Sequence, residues 1–149
     1  TGHERVLDFY FPGELIGLEA MHQPHHLFNI QALTPSSFCE INYDKLHQLL
    51  SLQPNLQAHL LQLTSQKLSS YCKLLHHDMG KRLIEFLVNI KSRMGLQHET
   101  HITLPMSRAD IGNYLNLTAE TISRLFTRLE REGQLSVHGK RIEFGSHLA

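Results

Sequence analysis

The stretch "SRADIGNYLNLTAETISRLFTRLEREG", residues 107–133, decides the fold of the C-terminal half of this 149-residue chain. It begins with a short helical pattern that Ser107 can cap, with Asp110 three residues later in a near relative of the capping box. A turn follows at residues 116–117, and Thr118 can then cap a second, longer helix. Two short helices joined by a tight turn predict a helix-turn-helix.

The apolar residues of both helices recur at helical spacing and predict a shared core. Ile111 and Leu115 lie one turn apart on the first helix. Gly112 costs a helix about 1 kcal/mol relative to alanine, so we expect another backbone to approach it closely. The apolar face of the second helix consists of Ile122, Leu125, Phe126 and Leu129.

A β-hairpin is predicted directly after the second helix. The segment "QLSVHGKRIEF" has two alternating runs, residues 135–137 and 141–144, on either side of residues 138–140. Alternation interrupted by a glycine-containing turn is typical of two antiparallel strands. A hairpin behind a helix-turn-helix makes the unit a winged helix-turn-helix.

The second helix also carries a polar stripe opposite its apolar face. Its members, which recur at helical spacing, are Glu120, Ser123, Arg124 and Thr127. In a DNA major groove an arginine can donate two hydrogen bonds to guanine, and a glutamate can accept one from cytosine. The alternative is a surface ion pair between Glu120 and Arg124, worth a few tenths of a kcal/mol. Together with the preceding helix and the hairpin, the stripe favours DNA binding over that alternative.

Hydroxyl groups and cations around the second helix and the hairpin suit DNA phosphates. These side chains belong to Ser107, Thr118, Thr121, Arg128, Lys140 and Arg141. The chain has no net charge, yet residues 1–80 carry 4 Lys and Arg against 7 Asp and Glu, whereas residues 81–149 carry 10 against 7. The C-terminal half is therefore the better candidate for an anionic partner.

Three short β-like runs, "VLDFYF", "LFNIQAL" and "FCEINY", lie in the first part of the chain. Proline and glycine turn signals separate them, as in a small sheet sandwich or roll. Three or four strands are too few to close a core, so we expect the sequence to begin inside that β domain.

A strongly helical region follows Pro54, a residue that suits the first turn of a helix. It carries two apolar stripes, and two stripes need two partners. One consists of Leu61, Thr64, Leu68, Tyr71 and Leu75, and the other of Leu56, Leu60, Leu63 and Leu74. A symmetry mate on one stripe would give a dimer. A helix packed between two parts of one monomer explains the pattern alone equally well.

The next helix is predicted from "KRLIEFLVNIKSRMG", with Gly95 as its stop. Its core face consists of Leu83, Phe86, Leu87 and Ile90. This helix is expected to lead from the long helix into the helix-turn-helix.

The segment "MSRADIGNYLNLTAETISRLFTRLEREGQLSVHGKRIEF" resembles the DNA-binding domain of the CRP/FNR family of bacterial transcription regulators, and "LTAETISRL" is most similar to the FNR branch. The resemblance extends to "FPGELIGLEA", which is similar to the sensory β-roll, and to the long helix. It implies an α+β fold: the C-terminal part of a cyclic-nucleotide-binding-like β-roll in residues 1–50, a dimerisation helix in 51–77 and a winged helix-turn-helix in 78–149.

The resemblance also implies a function. A homodimer would place two recognition helices on a palindrome with TTGAT-like half-sites, with Glu120, Ser123 and Arg124 as the base readers. RNA polymerase would be a further partner, and the full-length regulator would respond to oxygen or redox state. The resemblance favours dimerisation for the stripe from Leu61 to Leu75.

The branches of the family differ in the signal that they sense. In the branch that binds cyclic AMP, an Arg-Ser pair holds the cyclic phosphate, and the corresponding residues here are His26 and Leu27. Leucine offers phosphate no hydrogen bond and neutral histidine is a poor substitute for arginine, so no cyclic nucleotide is expected.

In the FNR branch the resemblance makes Cys39 one ligand of a [4Fe-4S] cluster. The cluster needs four thiolates, the other three of which lie in an N-terminal segment that this sequence lacks, and Cys72 is not their substitute. Cys39 is therefore a candidate ligand only in a longer chain and a free thiol here. The alternative is a small buried residue in a strand.

Other functions have less support. The adjacent pairs His25-His26 and His76-His77 diverge in a strand or a helix, so neither is expected to chelate a metal. No catalytic motif indicates an enzyme. No apolar run is long enough to cross a bilayer and no signal peptide is visible, which favours the cytoplasm. Two alternatives stay open: a regulator of the same fold that senses nitric oxide or another effector through haem or thiols, and a winged helix that binds proteins.

Overall fold

A computed structural model of the chain describes residues 4–75 and 78–146. These residues form two compact units: the C-terminal unit, residues 4–14 with 78–146, and the N-terminal unit, residues 15–75. The elements in chain order are a 3-10 turn at Leu18–His22, α1 Tyr43–Leu52, α2 Pro54–Lys73, α3 Met79–Arg93, β1 His101–Thr103, α4 Arg108–Leu115, α5 Ala119–Arg131, β2 Leu135–His138 and β3 Arg141–Phe144. The predicted α+β class is confirmed.

The core of the C-terminal unit lies between three helices, α3, α4 and α5, and a small antiparallel sheet in the order β1-β3-β2. Ile142 of β3 is fully buried at the centre of that sheet, opposite Ile102 on one side and Val137 on the other. The predicted core face of α3 is confirmed. Its members Leu83, Phe86, Leu87 and Ile90 are all buried.

Helix α3 begins at a side-chain cap that was not predicted from the sequence, and it ends at the predicted stop. The Asp78 carboxylate caps it by accepting hydrogen bonds from the Gly80 N–H at 2.8 Å and the Lys81 N–H at 3.1 Å. The helix ends at Arg93, and Gly95 follows with φ 72°, a left-handed conformation that glycine adopts without strain. Gly95 as the stop signal is confirmed.

Strand β1 was not predicted from the sequence. It is three residues long and pairs with β3, so that Ile102 lies opposite Ile142. A strand this short has too little alternation to be recognised locally. The partner strand, far along the chain, supplies the hydrogen bonds that make it a strand.

The three β-like runs near the N-terminus do not form strands, and their prediction as strands is wrong. Residues 4–42 contain only the 3-10 turn at Leu18–His22 among described elements. An extended segment becomes a stable strand only when a neighbour pairs with its N–H and C=O groups. No neighbour is present among the described residues, and Leu27, Phe28, Ile30 and Phe38 are exposed.

The first of these runs belongs to the C-terminal unit and packs against α3 and α4. Phe9 is buried, with its ring centroid 5.9 Å from that of Phe86 and 5.6 Å from that of Tyr114. Arg93 of α3 binds this segment through ion pairs with Asp8 at 3.1 Å and Glu14 at 2.7 Å and through the Phe9 carbonyl. Burial opposes the charge of Arg93, but the two carboxylates outweigh it and raise its pKa above the usual value.

Helices α1 and α2 belong to the N-terminal unit. Asn42 caps α1 by accepting a hydrogen bond from the Lys45 N–H at 3.1 Å, and Pro54 stands in the first turn of α2, as predicted. The predicted dimer stripe on α2 is exposed: Leu61 retains 71% and Leu68 65% of its accessible surface. None of the described helices combines the length and apolarity needed to cross a membrane.

Candidate nucleic-acid interface

The first helix of the motif, α4, is fixed by its cap. Ser107 Oγ accepts a hydrogen bond from the Asp110 N–H at 3.1 Å, and Asp110 Oδ2 accepts one from the Ser107 N–H at 2.7 Å. This reciprocal pair completes the capping box whose near relative the sequence indicated. The Ser107 hydroxyl is thus already engaged inside the protein.

The turn between α4 and α5 explains the glycine in α4. A Cβ atom at Gly112 would lie 2.7 Å from the Leu117 carbonyl oxygen, closer than such atoms can approach. The expected close approach of another backbone is therefore confirmed. Asn116 ends α4 in a left-handed conformation, φ 57°, that asparagine tolerates better than most residues. Because Gly112 has no side chain, the turn that leads into α5 can pack closely against α4.

Helix α5 has the predicted cap and the predicted buried face. Thr118 Oγ1 accepts a hydrogen bond from the Thr121 N–H at 3.1 Å. The residues of the apolar face, Ile122, Leu125, Phe126 and Leu129, are all buried. Because this face is committed to the core, the opposite face must be exposed.

The polar stripe lies on that exposed face. Arg124 and Glu120 retain 79% and 73% of their side-chain surface and form an ion pair, with Arg124 Nη2 2.5 Å from Glu120 Oε1. Ser123 Oγ donates to the Ala119 carbonyl oxygen at 2.9 Å. The three predicted base readers thus stand side by side on one open face, which also includes Thr127, Arg128 and Arg131.

The ion pair considered as an alternative is therefore present, but it does not compete with DNA reading. An exposed pair of this kind is worth about 0.3–0.5 kcal/mol, far less than a good contact to a base. The guanidinium of Arg124 has five N–H donors, and its hydrogen bond to Glu120 uses one of them. The pair holds both side chains near each other on the exposed face.

Four of the predicted phosphate contacts lie in two places, the start of α5 and the hairpin. The hydroxyls of Thr118 and Thr121 are 2.8 Å apart at the start of α5. In the hairpin, Lys140 Nζ donates to the Pro105 carbonyl oxygen at 3.1 Å and Arg141 Nε pairs with Glu143 Oε1 at 3.1 Å. All four side chains are at the surface or partly exposed.

Arg128 has a second set of neighbours within the protein. Its Nε atom is 3.6 Å from Glu132 Oε1, and its Nη2 atom occupies the space that a side chain at Gly80 would need. The hydrogen bond from Lys81 is the largest influence that lowers the pKa of Asp78, and the Arg128 charge adds to it. Arg128 therefore also joins α5 to the start of α3.

Sequence reasoning missed Arg108, the first residue of α4. Its guanidinium lies flat against the Phe126 ring, with Cζ 3.6 Å from the ring centroid. Its Nη2 atom donates to the Gly139 carbonyl oxygen in the hairpin turn at 3.1 Å. One signal could have identified it: a cation in the first turn of a helix opposes the helix dipole, so a specific contact must hold it there.

The residues present do not by themselves fit an iron-sulfur cluster. Cys39 and Cys72 are the two cysteines of the sequence, both exposed free thiols, whereas a [4Fe-4S] cluster needs four thiolates. Cys39 does not lie in a strand, so the alternative of a small buried strand residue is wrong. Within residues 4–75 and 78–146, no three His, Cys, Asp or Glu side chains are grouped to hold a metal ion. The pair His76-His77 lies outside the described residues.

Comparison with known proteins agrees with this geometry. Residues 81–144 match the family model of the Crp-like helix-turn-helix domain. Residues 81–144 are therefore similar to the Crp-like domain and are called the Crp-like domain below. The Crp-like domain thus includes α3, both helices of the motif and the hairpin, which hereafter is called the wing.

The similarity extends beyond the Crp-like domain. The chain is 34% identical over 147 residues to the transcriptional activator protein FnrA of Stutzerimonas stutzeri, across 95% of this chain and 60% of that protein. It is 36% identical over 147 residues to the fumarate and nitrate reduction regulatory protein of Escherichia coli, across 95% and 59%. The chain therefore spans about three fifths of the length of the curated relatives it matches.

A solved structure gives the same result. The structure of FixK2 from Bradyrhizobium japonicum matches with a TM-score of 0.59 and 28% sequence identity, over 70% of this chain and 54% of that one. Together with the matches in sequence, it confirms the resemblance to the CRP/FNR family.

Proposed function

We propose that this chain acts as a sequence-specific DNA-binding transcription regulator of the CRP/FNR type. The observation that carries the proposal is the exposed face of α5, where Glu120, Ser123 and Arg124 stand together near the N-terminal end of the helix. In a helix-turn-helix, this end of the second helix contacts base edges in the major groove. The match of residues 81–144 to the Crp-like domain supports the same function.

The chemistry of the stripe suits a TTGAT-like half-site, which contains one G·C pair. Arg124 can donate two hydrogen bonds to guanine O6 and N7, and Glu120 can accept from the cytosine amino group. The ion pair between them holds the two side chains at neighbouring positions before binding. Ser123, between them on the helix, can donate or accept.

Phosphate groups would then be contacted around this reading face. The wing residues Lys140 and Arg141 and the α5 residues Thr118 and Thr121 bring cations and hydroxyls to the surface of the Crp-like domain. We include Ser107 and Arg128 in this set, although each has a partner within the protein. Such contacts orient a protein on the duplex and carry no sequence information themselves.

The exposed stripe on α2 supports homodimerisation. Its residues Leu61, Thr64, Leu68 and Tyr71 are on one side of a 20-residue helix in which no described residue is buried, and Leu75 follows two residues after the helix ends. A second copy of the same helix would remove these leucines from water and place two recognition helices on a palindrome. The proposed division into residues 1–50, 51–77 and 78–149 gives this role to the middle part.

The functions of similar proteins support a role in anaerobic regulation. Besides the fumarate and nitrate reduction regulatory protein, these proteins include an anaerobic regulatory protein of Pasteurella multocida. Cys39 would serve as a cluster ligand only together with thiolates that the sequence in hand does not supply. RNA polymerase is a proposed partner of the assembled regulator.

Fluorescence anisotropy tests the proposal. The chain is titrated into a labelled TTGAT-type palindrome and a scrambled duplex, at two salt concentrations. We expect the palindrome to bind at least about tenfold more tightly, because each good base contact contributes roughly 1–3 kcal/mol of discrimination. Affinity for both duplexes should fall as salt rises, since phosphate contacts release counterions.

Two variants separate base reading from charge. Arg124→Ala should abolish the preference for the palindrome, whereas Arg131→Ala, at the far end of the same helix, should weaken both duplexes equally. Equal binding of both duplexes by the wild-type chain, together with no effect of Arg124→Ala, would contradict the proposal.

A further inference from the structure

Three side-chain hydrogen bonds hold the wing against the rest of the Crp-like domain, and one of them joins Lys140 Nζ to the Pro105 carbonyl oxygen. Within the wing, two residues before its turn, Glu130 Oε1 accepts a hydrogen bond from the Val137 N–H at 2.8 Å. At its tip, Arg108 Nη2 donates to the Gly139 carbonyl oxygen at 3.1 Å. Gly139 has φ 63°, so the tip is a tight turn with a fixed direction for that carbonyl. The tip of the wing and the end of β2 that leads into it are therefore tied to the helical part of the domain.

The contact at the tip depends on the planar shape of a guanidinium. One face of the Arg108 group covers the Phe126 ring on the inner side of α5, with Cζ 3.6 Å from the ring centroid. The other terminal nitrogen, Nη1, is buried and has no hydrogen-bond acceptor among the described residues. Burial lowers the pKa of Arg108, and the charge of Glu130 partly offsets that effect.

This arrangement leaves Arg108 poorly placed to contact DNA itself. Its stacked face and its buried Nη1 atom are turned into the protein, and its Nη2 atom is engaged by the wing. An unmatched buried donor and a cation in the first turn of a helix both destabilise the domain. Because these features of Arg108 lower stability, we expect Arg108 to contribute through the geometry that it fixes.

We infer that Arg108 is a positioning residue that holds the wing at a fixed distance from the base-reading face of α5. The inference rests on the proposed function. The wing tip that Arg108 binds is the turn that presents Lys140 to a phosphate, while Phe126 belongs to the helix that carries Arg124. The Leu104 N–H also binds the Lys140 carbonyl oxygen at 2.9 Å, so the tip would stay attached without Arg108. It would be less fixed in direction, and ordering it on binding DNA would weaken the complex.

Lysine in place of arginine separates geometry from charge. Arg108→Lys keeps the positive charge but loses the flat face and the directed Nη2 donor. We expect it to weaken the palindrome complex about three- to tenfold. We also expect the slope of log affinity against log salt to fall by about one for each half-site, because the Lys140 contact to phosphate is lost.

A double-mutant cycle with Lys140→Gln identifies the path of the effect. If Arg108 acts through the wing, the double variant should bind no more weakly than the weaker single variant. Additive losses, or an Arg108→Lys variant with an unchanged salt slope, would overturn the inference. Near-native binding by Arg108→Lys would overturn it as well.

Amide hydrogen exchange gives a readout that needs no DNA. In Arg108→Lys, amides of residues 137–141 should exchange at least about tenfold faster, whereas those of α3 and α5 should be unchanged. Uniformly faster exchange would show general destabilisation and would overturn the positioning role. If the wild-type chain did not prefer the palindrome, the proposed function would be wrong. The inference about DNA would then fail as well, even if hydrogen exchange gave the expected result.

Discussion

Helices α5 and α2 both have leucine-containing apolar faces, but only α5 buries its face within the described chain. Ile122 and Leu129 of α5 are inaccessible to solvent or nearly so, whereas Leu61 and Leu68 of α2 are mostly exposed. The face of α5 meets α4 and the sheet of its own unit. An apolar stripe thus indicates that a helix needs a packing partner. Burial of the stripe shows that this partner lies within the same chain.

The largest expected effect is a loss of stability when the buried face of α5 is changed. Ile122→Ala should lower the free energy of unfolding by about 2–5 kcal/mol, because it leaves a cavity in a closely packed core. The matched substitution Leu68→Ala should change the stability of the monomer by less than about 0.5 kcal/mol. Chemical denaturation of both variants measures the difference. Similar losses in dilute solution would mean that α2 is buried within one chain.

The next prediction concerns self-association through the exposed apolar stripe of α2. The double variant Leu61→Ala/Leu68→Ala should weaken dimer formation by at least about tenfold, since each leucine loses roughly 2 kcal/mol of burial against a second copy. Sedimentation equilibrium of the wild-type and variant chains gives the two constants. Identical association constants would locate the dimer interface elsewhere.

A smaller effect is expected at the cap of α4. Ser107→Ala should destabilise the C-terminal unit by about 1 kcal/mol, because it removes one half of the capping box. Ser107→Asp, which can also accept from the Asp110 N–H, is the control and should retain more of the stability. Thermal unfolding of both variants measures the loss. Equal stability of Ser107→Ala and the wild type would show that the cap contributes nothing.

The smallest expected effect is on the way stability depends on pH. The pKa of Asp78 is lowered, mainly by the hydrogen bond from Lys81, so its cap contributes stability that is complete above the unfolded pKa of about 3.9. This contribution is lost as the pH falls through the lower, folded pKa. Asp78→Asn, which keeps a capping oxygen but cannot titrate, should therefore lose less stability below about pH 4 than the wild type. Parallel acid-unfolding curves for the two proteins would contradict this assignment.

The Crp-like domain was largely predictable because its signals are local. The caps at Ser107 and Thr118, the space around Gly112 and the buried face of α5 each follow from residues a few positions apart. The same holds for the grouping of the predicted base readers on one face of α5, although their role in reading DNA stays a prediction.

The N-terminal part was less predictable because strand patterns depend on a neighbour. The run around Phe9 has the composition of a strand, yet its aromatic side chain packs between Phe86 and Tyr114. Arg93 could be recognised as a cation near the end of α3, but its ion pairs with Asp8 and Glu14 join residues far apart in sequence. No spacing within the sequence indicates such contacts.

The sequence by itself determined the helix-turn-helix, its caps, its buried face and the exposed position of Glu120, Ser123 and Arg124. Helical periodicity and capping act over one or two turns, so the residues that cause them are adjacent in the chain. Only the tertiary structure decided that His101–Thr103 is a strand, that the run around Phe9 is not, and that Arg108 connects α5 to the wing. These features depend on which distant backbone or ring lies within hydrogen-bonding or packing distance, and that is fixed only when the whole domain has folded.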